Sequence, residues 1–119
     1  MAKKKTEEKP VVKAEEKKRP LKVKVIGAGG IGLFVLEPLC MFLNYSEIPS
    51  IELSVIDGDI YEERNRERQV FDQIGPKATV TVNRFKDRYP KILFWDHPVF
   101  VTEGNVINLI REHDVVMMC

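Results

Sequence analysis

The stretch Val23-Lys24-Val25-Ile26-Gly27-Ala28-Gly29-Gly30-Ile31-Gly32-Leu33 decides the fold. Leu21, Val23, Val25 and Ile26 form a short, largely β-branched run that predicts a strand, and the glycine cluster that breaks it predicts a tight turn. From Leu33 to Leu43 the apolar residues are dense enough for a helix packed on a sheet, with Pro38 expected to kink or open it. The spacing Gly27-x-Gly29-x-x-Gly32 between strand and helix aims backbone N–H groups and a helix N-terminus at one point, where an anion is stabilised. Without side chains, Gly27, Gly29, Gly30 and Gly32 let phosphates approach closely, which makes them candidate nucleotide-binding residues. The spacing serves dinucleotides and ATP alike, and glycine turns also occur without a ligand.

Downstream, Ile51-Glu52-Leu53-Ser54-Val55-Ile56 predicts a second strand ending in Asp57-Gly58-Asp59. An acid at that position can accept hydrogen bonds from ribose hydroxyls; the competing reading is that Asp57 and Asp59 only shape a turn around Gly58. Ile60 to Ile74 has little periodicity and reads as a loop with at most a short helical turn. A second helix is expected over Gly75 to Tyr89, with Pro76 in its first turn and Pro90 ending it. Ile92 to Trp95 reads as a third strand, Asn105 to Glu112 as a short helix and Val115 to Met118 as a fourth strand. The order β-α-β-α-β-α-β predicts an α/β, Rossmann-like, doubly wound and mainly parallel sheet with helices on both faces, carrying its ligand at the carboxyl ends of the strands.

A chain of 119 residues fits one domain, placed here at 21–119. It has no run of about 18 apolar residues and no apolar stretch of a secretory signal, so a soluble, cytoplasmic protein without membrane attachment is expected. Met1 to Pro20 holds eight Lys or Arg and four Glu, against eleven basic and fourteen acidic residues in the remainder. Its scarcity of large apolar residues predicts a disordered basic arm over 1–20, and lysines interleaved with Glu read as solvated charge in preference to a nucleic-acid site. Cys40 and Cys119 have neither disulfide nor metal-ligand spacing, and His97 and His113 complete no metal or nucleophile set, so no metal ligands are assigned.

An ordinary dehydrogenase needs no polar run such as Asp57-Gly58-Asp59-Ile60-Tyr61-Glu62-Glu63-Arg64-Asn65-Arg66-Glu67-Arg68-Gln69. Taken in order, Gly27 to Gly32, Asp57-x-Asp59, Asn65-x-x-Arg68-Gln69 and Gly75-Pro76-Lys77-Ala78 resemble the signature of the ThiF/MoeB/HesA adenylyltransferases, the domain shared with ubiquitin-activating enzymes. The likeness spans nearly everything from Lys22 to Cys119 and is nearest to the ThiF-like proteins of plasmid and phage operons. It implies that Asp57 holds the ribose, with Asp59 on the same side. It likewise implies that Asn65, Arg68 and Lys77 contact the ATP phosphates and that Gln69 supports the loop. Arg68 and Lys77 then act in catalysis, an arginine fork and a lysine point charge offsetting charge on the departing pyrophosphate. Arg64 and Arg66 read instead as solvated charges paired with Glu62, Glu63 and Glu67.

The resemblance further implies ATP and Mg2+ as cofactors. The partner it implies is a ubiquitin-like or sulfur-carrier protein whose C-terminal carboxylate is converted to an acyl-adenylate, and the assembly is a homodimer. The sequence departs from the family pattern in two places. Gln69 to Gly75 is shorter than usual, and the aspartate that engages magnesium after the fourth strand does not appear, which leads to the expectation of a chain truncated after that strand. A non-catalytic nucleotide-binding or assembly module is therefore a rival. An NAD-dependent oxidoreductase is another, although it leaves Asn65, Arg68 and Lys77 without a role.

Overall fold

A computed structural model describes residues 19–62 and 74–119, apart from the side chains of Gly30, Ile31 and Leu33. Strand β1 (Leu21–Ile26) leads through the glycine turn into α1 (Gly30–Asn44), then β2 (Ile51–Ile56). Two short strands, β3 (Ile60–Tyr61) and β4 (Gly75–Pro76), precede α2 (Lys77–Phe85). Strand β5 (Ile92–His97), the single turn α3 (Val106–Leu109) and β6 (Val115–Met118) complete the order. The main sheet runs β5-β2-β1-β6 with every pairing parallel. This is the predicted Rossmann-like arrangement.

Chain order fixes which face each helix covers. The steps from β1 to β2 and from β2 to β5 go one way across the sheet, and the step from β5 to β6 returns past both. Right-handed crossovers put α1 and α2 on one face and α3 on the other, and α1 touches α2.

Register builds the core, because residues side by side in parallel strands share a face. Leu21, Ile51 and Ile92 form one row, and Val23, Leu53 and Phe94 the next. Leu36, Cys40 and Leu43 of α1 and Ala78, Val82 and Phe85 of α2 close over these rows. Phe85 is 1 % exposed, and truncating such a ring to Ala costs about 3–5 kcal/mol, a large share of the roughly 5–15 kcal/mol that holds a domain folded. The opposite face is thinly covered. There the Trp95 indole Nε1 donates to Glu52 Oε1 over 3.0 Å, and Leu93, Trp95, Val116 and Met118 stay substantially exposed.

Boundaries differ from expectation where local chemistry intervenes. Pro38 lies on the exposed side of α1, which runs unbroken across it. Helix α2 starts at Lys77 with Pro76 as its N-cap, because Gly75 and Pro76 are taken up in antiparallel pairing with Ile60 and Tyr61. That pairing turns the start of the expected loop into a two-stranded ribbon. The expected arm lies, except for its last two residues, outside the described residues. Among those described, no helix is long and apolar enough to cross a membrane.

Candidate functional site

The glycine turn sits at the carboxyl end of β1, between β2 and β6. Gly27 N–H donates to the Ile56 carbonyl over 2.9 Å, and Cys119 N–H donates to that of Ile26 over 2.9 Å. Gly27 has φ of +100°, and a Cβ there would stand 2.7 Å from the Cys119 carbonyl oxygen. A Cβ on Gly32 would stand 2.4 Å from the Gly27 carbonyl oxygen, so the first turn of α1 rests directly on the loop. Gly29 is the N-cap and Gly30 the first helical residue, with no side chain capping the helix. The N-terminal N–H groups and the positive end of the helix dipole are thereby left for an anion.

Asp57 follows β2 and binds this turn. Its Oδ2 accepts from Ala28 N–H at 2.6 Å and its Oδ1 from Asp59 N–H at 2.8 Å. Asp57 N–H donates to the His97 carbonyl over 3.1 Å, which holds the carboxylate between β1 and β5. A carboxylate has about four lone-pair sites, so two accepted bonds leave capacity for ribose hydroxyls.

Lys77 lies inward, 6 % exposed. Its Nζ is 3.4 Å from Asp59 Oδ2 and 5.4 Å from the centre of the Tyr61 ring, and its backbone N–H donates to the Asp59 carbonyl over 2.9 Å. The structure thus brings Asp59 and Lys77 together as an ion pair at the mouth of α2. Tyr61, which the sequence reading passed over, completes the cluster: its hydroxyl donates to the Ala28 carbonyl over 2.7 Å. Burial pushes the phenol's pKa up, and the Asp57 charge adds to this against the opposing Thr81 hydroxyl and Arg84; the phenol stays protonated and donating. A closed circuit results, from Ala28 through Asp57, Asp59, Lys77 and Tyr61 back to Ala28.

Phe100 was also passed over. Its ring lies against Gly58, where a Cβ would stand 2.4 Å from Cδ2, yet the residue is 63 % exposed. The ring packs on Gly58 while much of the side chain remains open. The usable signal was Gly58, a residue without bulk beside an acid.

Asn65, Arg68 and Gln69, with Arg64 and Arg66, lie outside the described residues. Among those described, no group of three or more His, Cys, Asp or Glu side chains gathers to hold a metal ion.

A parallel sheet with a glycine turn at its carboxyl end and an acid on the neighbouring strand is the framework of a Rossmann-like α/β domain. Residues 8–119 match the ThiF family, and the chain belongs to it. It is 29 % identical over 107 residues to a sulfur carrier protein adenylyltransferase of Thermus thermophilus, an alignment covering 87 % of this chain and 37 % of that protein. Among solved structures it is similar to TcdA (CsdL), with a TM-score of 0.67, 26 % identity and coverage of 83 % of this chain and 39 % of the other. E. coli MccB crystallised with ATP gives a TM-score of 0.61 and 27 % identity over 85 % of this chain and 30 % of the other. The chain thus spans well under half the length of these relatives.

Proposed function

We propose that the chain binds ATP at the carboxyl ends of β1 and β2 and serves the transfer of AMP to a carboxylate at the C-terminus of a ubiquitin-like or sulfur-carrier protein. The observation that carries this reading is the pairing of an uncapped helix N-terminus at Gly29 with the Asp57 carboxylate bonded to Ala28 N–H. That arrangement offers phosphates a donor cradle and ribose an acceptor within one rigid turn. Family membership, a relative named for adenylyl transfer and a similar structure holding ATP support it.

In the proposed reaction a carboxylate oxygen attacks the α-phosphorus and forms the acyl–O–P bond, while the bond from the α-phosphorus to the bridging oxygen breaks and its electron pair leaves with pyrophosphate. Asp57 orients the ribose, and the N–H groups of the glycine turn hold the phosphates in line. Lys77 and Arg68 offset the charge that grows on the leaving group. Magnesium would accompany ATP and supply further charge compensation at the phosphates. We further propose a homodimer, the assembly that the family resemblance implies.

Calorimetry with ATP and with NAD tests the binding step, and ATP–pyrophosphate exchange in the presence of a carrier protein tests the transfer. Saturable ATP binding without NAD binding is the expected result. Tight NAD binding with no ATP binding would overturn the reading in favour of an oxidoreductase. ATP binding with no exchange for any carrier would favour the non-catalytic module.

A further inference from the structure

At the opposite end of the sheet from the glycine turn, the amino ends of β1 and β6 border a second hollow. Arg19, Pro20, Lys22, Arg111, Glu112, His113 and Asp114 line a cavity of about 270 Å³. Its buried acid is already engaged. Asp114 has a side chain only 2 % exposed and faces Lys24 Nζ at 3.8 Å, while its Oδ2 accepts from Arg111 N–H at 2.7 Å. Glu112 Oε1 lies 3.7 Å from His113 Nε2. Glu52, beside Lys22 in register, accepts from the Trp95 indole.

The cations are not engaged in this way: Arg19, Lys22 and Arg111 have no ion-pair partner among the described residues. The loop that presents Arg111 is pinned at both ends, since Asp114 N–H returns a bond of 3.2 Å to the Arg111 carbonyl and His113 takes up φ of 73° to close the turn. A non-glycine turn held by a buried carboxylate fixes the backbone from which the Arg111 side chain extends.

We propose that this cavity binds a small, multiply charged phosphate anion, at a site separate from the nucleotide. Two arginine forks and a lysine around one hollow match phosphate oxygens bidentately. By its share of liquid volume a water takes about 30 Å³, so the space accepts a pyrophosphate or phosphate monoester. Glu112 at the rim disfavours an extended polyanion, which needs an uninterrupted basic track.

The test is an amide NMR titration of the whole chain with inorganic phosphate, pyrophosphate and a sugar phosphate at matched ionic strength. Saturable shifts are expected at Lys22 and at Arg111 to Asp114, with affinity reduced roughly tenfold or more when Lys22→Gln and Arg111→Gln are combined. ATP affinity at the glycine turn should be unchanged in that variant. A free anion as ligand predicts that pyrophosphate binds at least as well as the sugar phosphate; preference for the sugar phosphate assigns the phosphoryl group to a larger metabolite. Shifts confined to Gly27–Gly32, the same shifts with chloride, or undiminished affinity in the double variant would overturn the proposal. So would tighter binding of duplex RNA through the same residues.

Discussion

The Tyr61 hydroxyl reaches across 33 positions of sequence to donate a 2.7 Å hydrogen bond to the Ala28 carbonyl, inside the glycine turn. A buried phenol 1 % exposed thereby fixes the turn. Tyr61→Phe keeps the ring under Lys77 and removes only this bond. It should lower unfolding free energy by about 1 kcal/mol and weaken ATP binding severalfold by loosening the turn. A urea midpoint and a calorimetric Kd check both effects; no change in either would show that the contact does not constrain the loop.

Gly32 offers a test in which two effects oppose. Ala is favoured over Gly inside a helix by about 1 kcal/mol, but here a Cβ would stand 2.4 Å from the Gly27 carbonyl oxygen, and a backbone atom cannot swing aside. Gly32→Ala is therefore expected to destabilise the chain and to abolish measurable ATP binding. A rise in thermal midpoint with binding retained would show that the helix does not rest on the turn.

Asp57 is half-buried and accepts two backbone N–H bonds, so its replacement affects folding as well as binding. Asp57→Ala should cost about 1 kcal/mol, since it removes the acceptor of the part-buried Ala28 N–H while the exposed Asp59 N–H can turn to water. Asp57→Asn keeps one acceptor oxygen and should recover part of this while ATP affinity stays low. Equal stability of all three proteins by denaturant unfolding would count against the bonding described.

Phe100 offers a test of whether an exposed ring against Gly58 meets the base of bound ATP. Stacking of a base on an aromatic ring contributes about 1–3 kcal/mol by alanine substitution, so Phe100→Ala should weaken ATP roughly tenfold yet leave tripolyphosphate binding unaltered. With the side chain 63 % exposed, little stability should be lost. An equal loss for both ligands would place the ring's influence on the turn and not on the base.

Alkaline titration probes the core. Burial pushes the Cys40 thiol up from 9.0 to about 12, with Glu37 adding to the shift. Between those values the unfolded chain releases a proton that the folded chain retains, so stability falls as pH rises from 9 towards 12, by about 1 kcal/mol per pH unit from this group. Tyr61 shifts in the same direction and remains in both proteins when Cys40→Ala is compared with the parent. The variant's stability should fall less steeply, and parallel curves would show that Cys40 is not a proton-linked group.

The parts of this architecture that follow from local periodicity were legible in the sequence. Leu21–Ile26 and Ile51–Ile56 read as strands because β-branched residues stop at glycine and aspartate, and Gly27 to Gly32 announced the turn between strand and helix. What escaped depends on partners distant in the chain. Ile60–Tyr61 forms a strand only because Gly75–Pro76 pairs with it, and nothing in either dipeptide signals the other. Tyr61 and Phe100 were missed for the same reason, since their place at the site comes from Ala28 and Gly58 and not from their own neighbours. Asp57 was singled out by its position after β2, but its bond to Ala28 N–H was not legible, because it joins residues 29 positions apart.

Pairing of Ile60 and Tyr61 with Gly75 and Pro76 fastens both ends of the intervening segment, which carries Asn65, Arg68 and Gln69, to the same small patch of the domain. A segment clasped at its base can gain or lose residues without shifting its points of departure and return. The entropy of closing it changes slowly with length, by only about 0.6 kcal/mol per doubling. The two short strands thus set where the chain leaves and rejoins the domain, independently of how many residues lie between them.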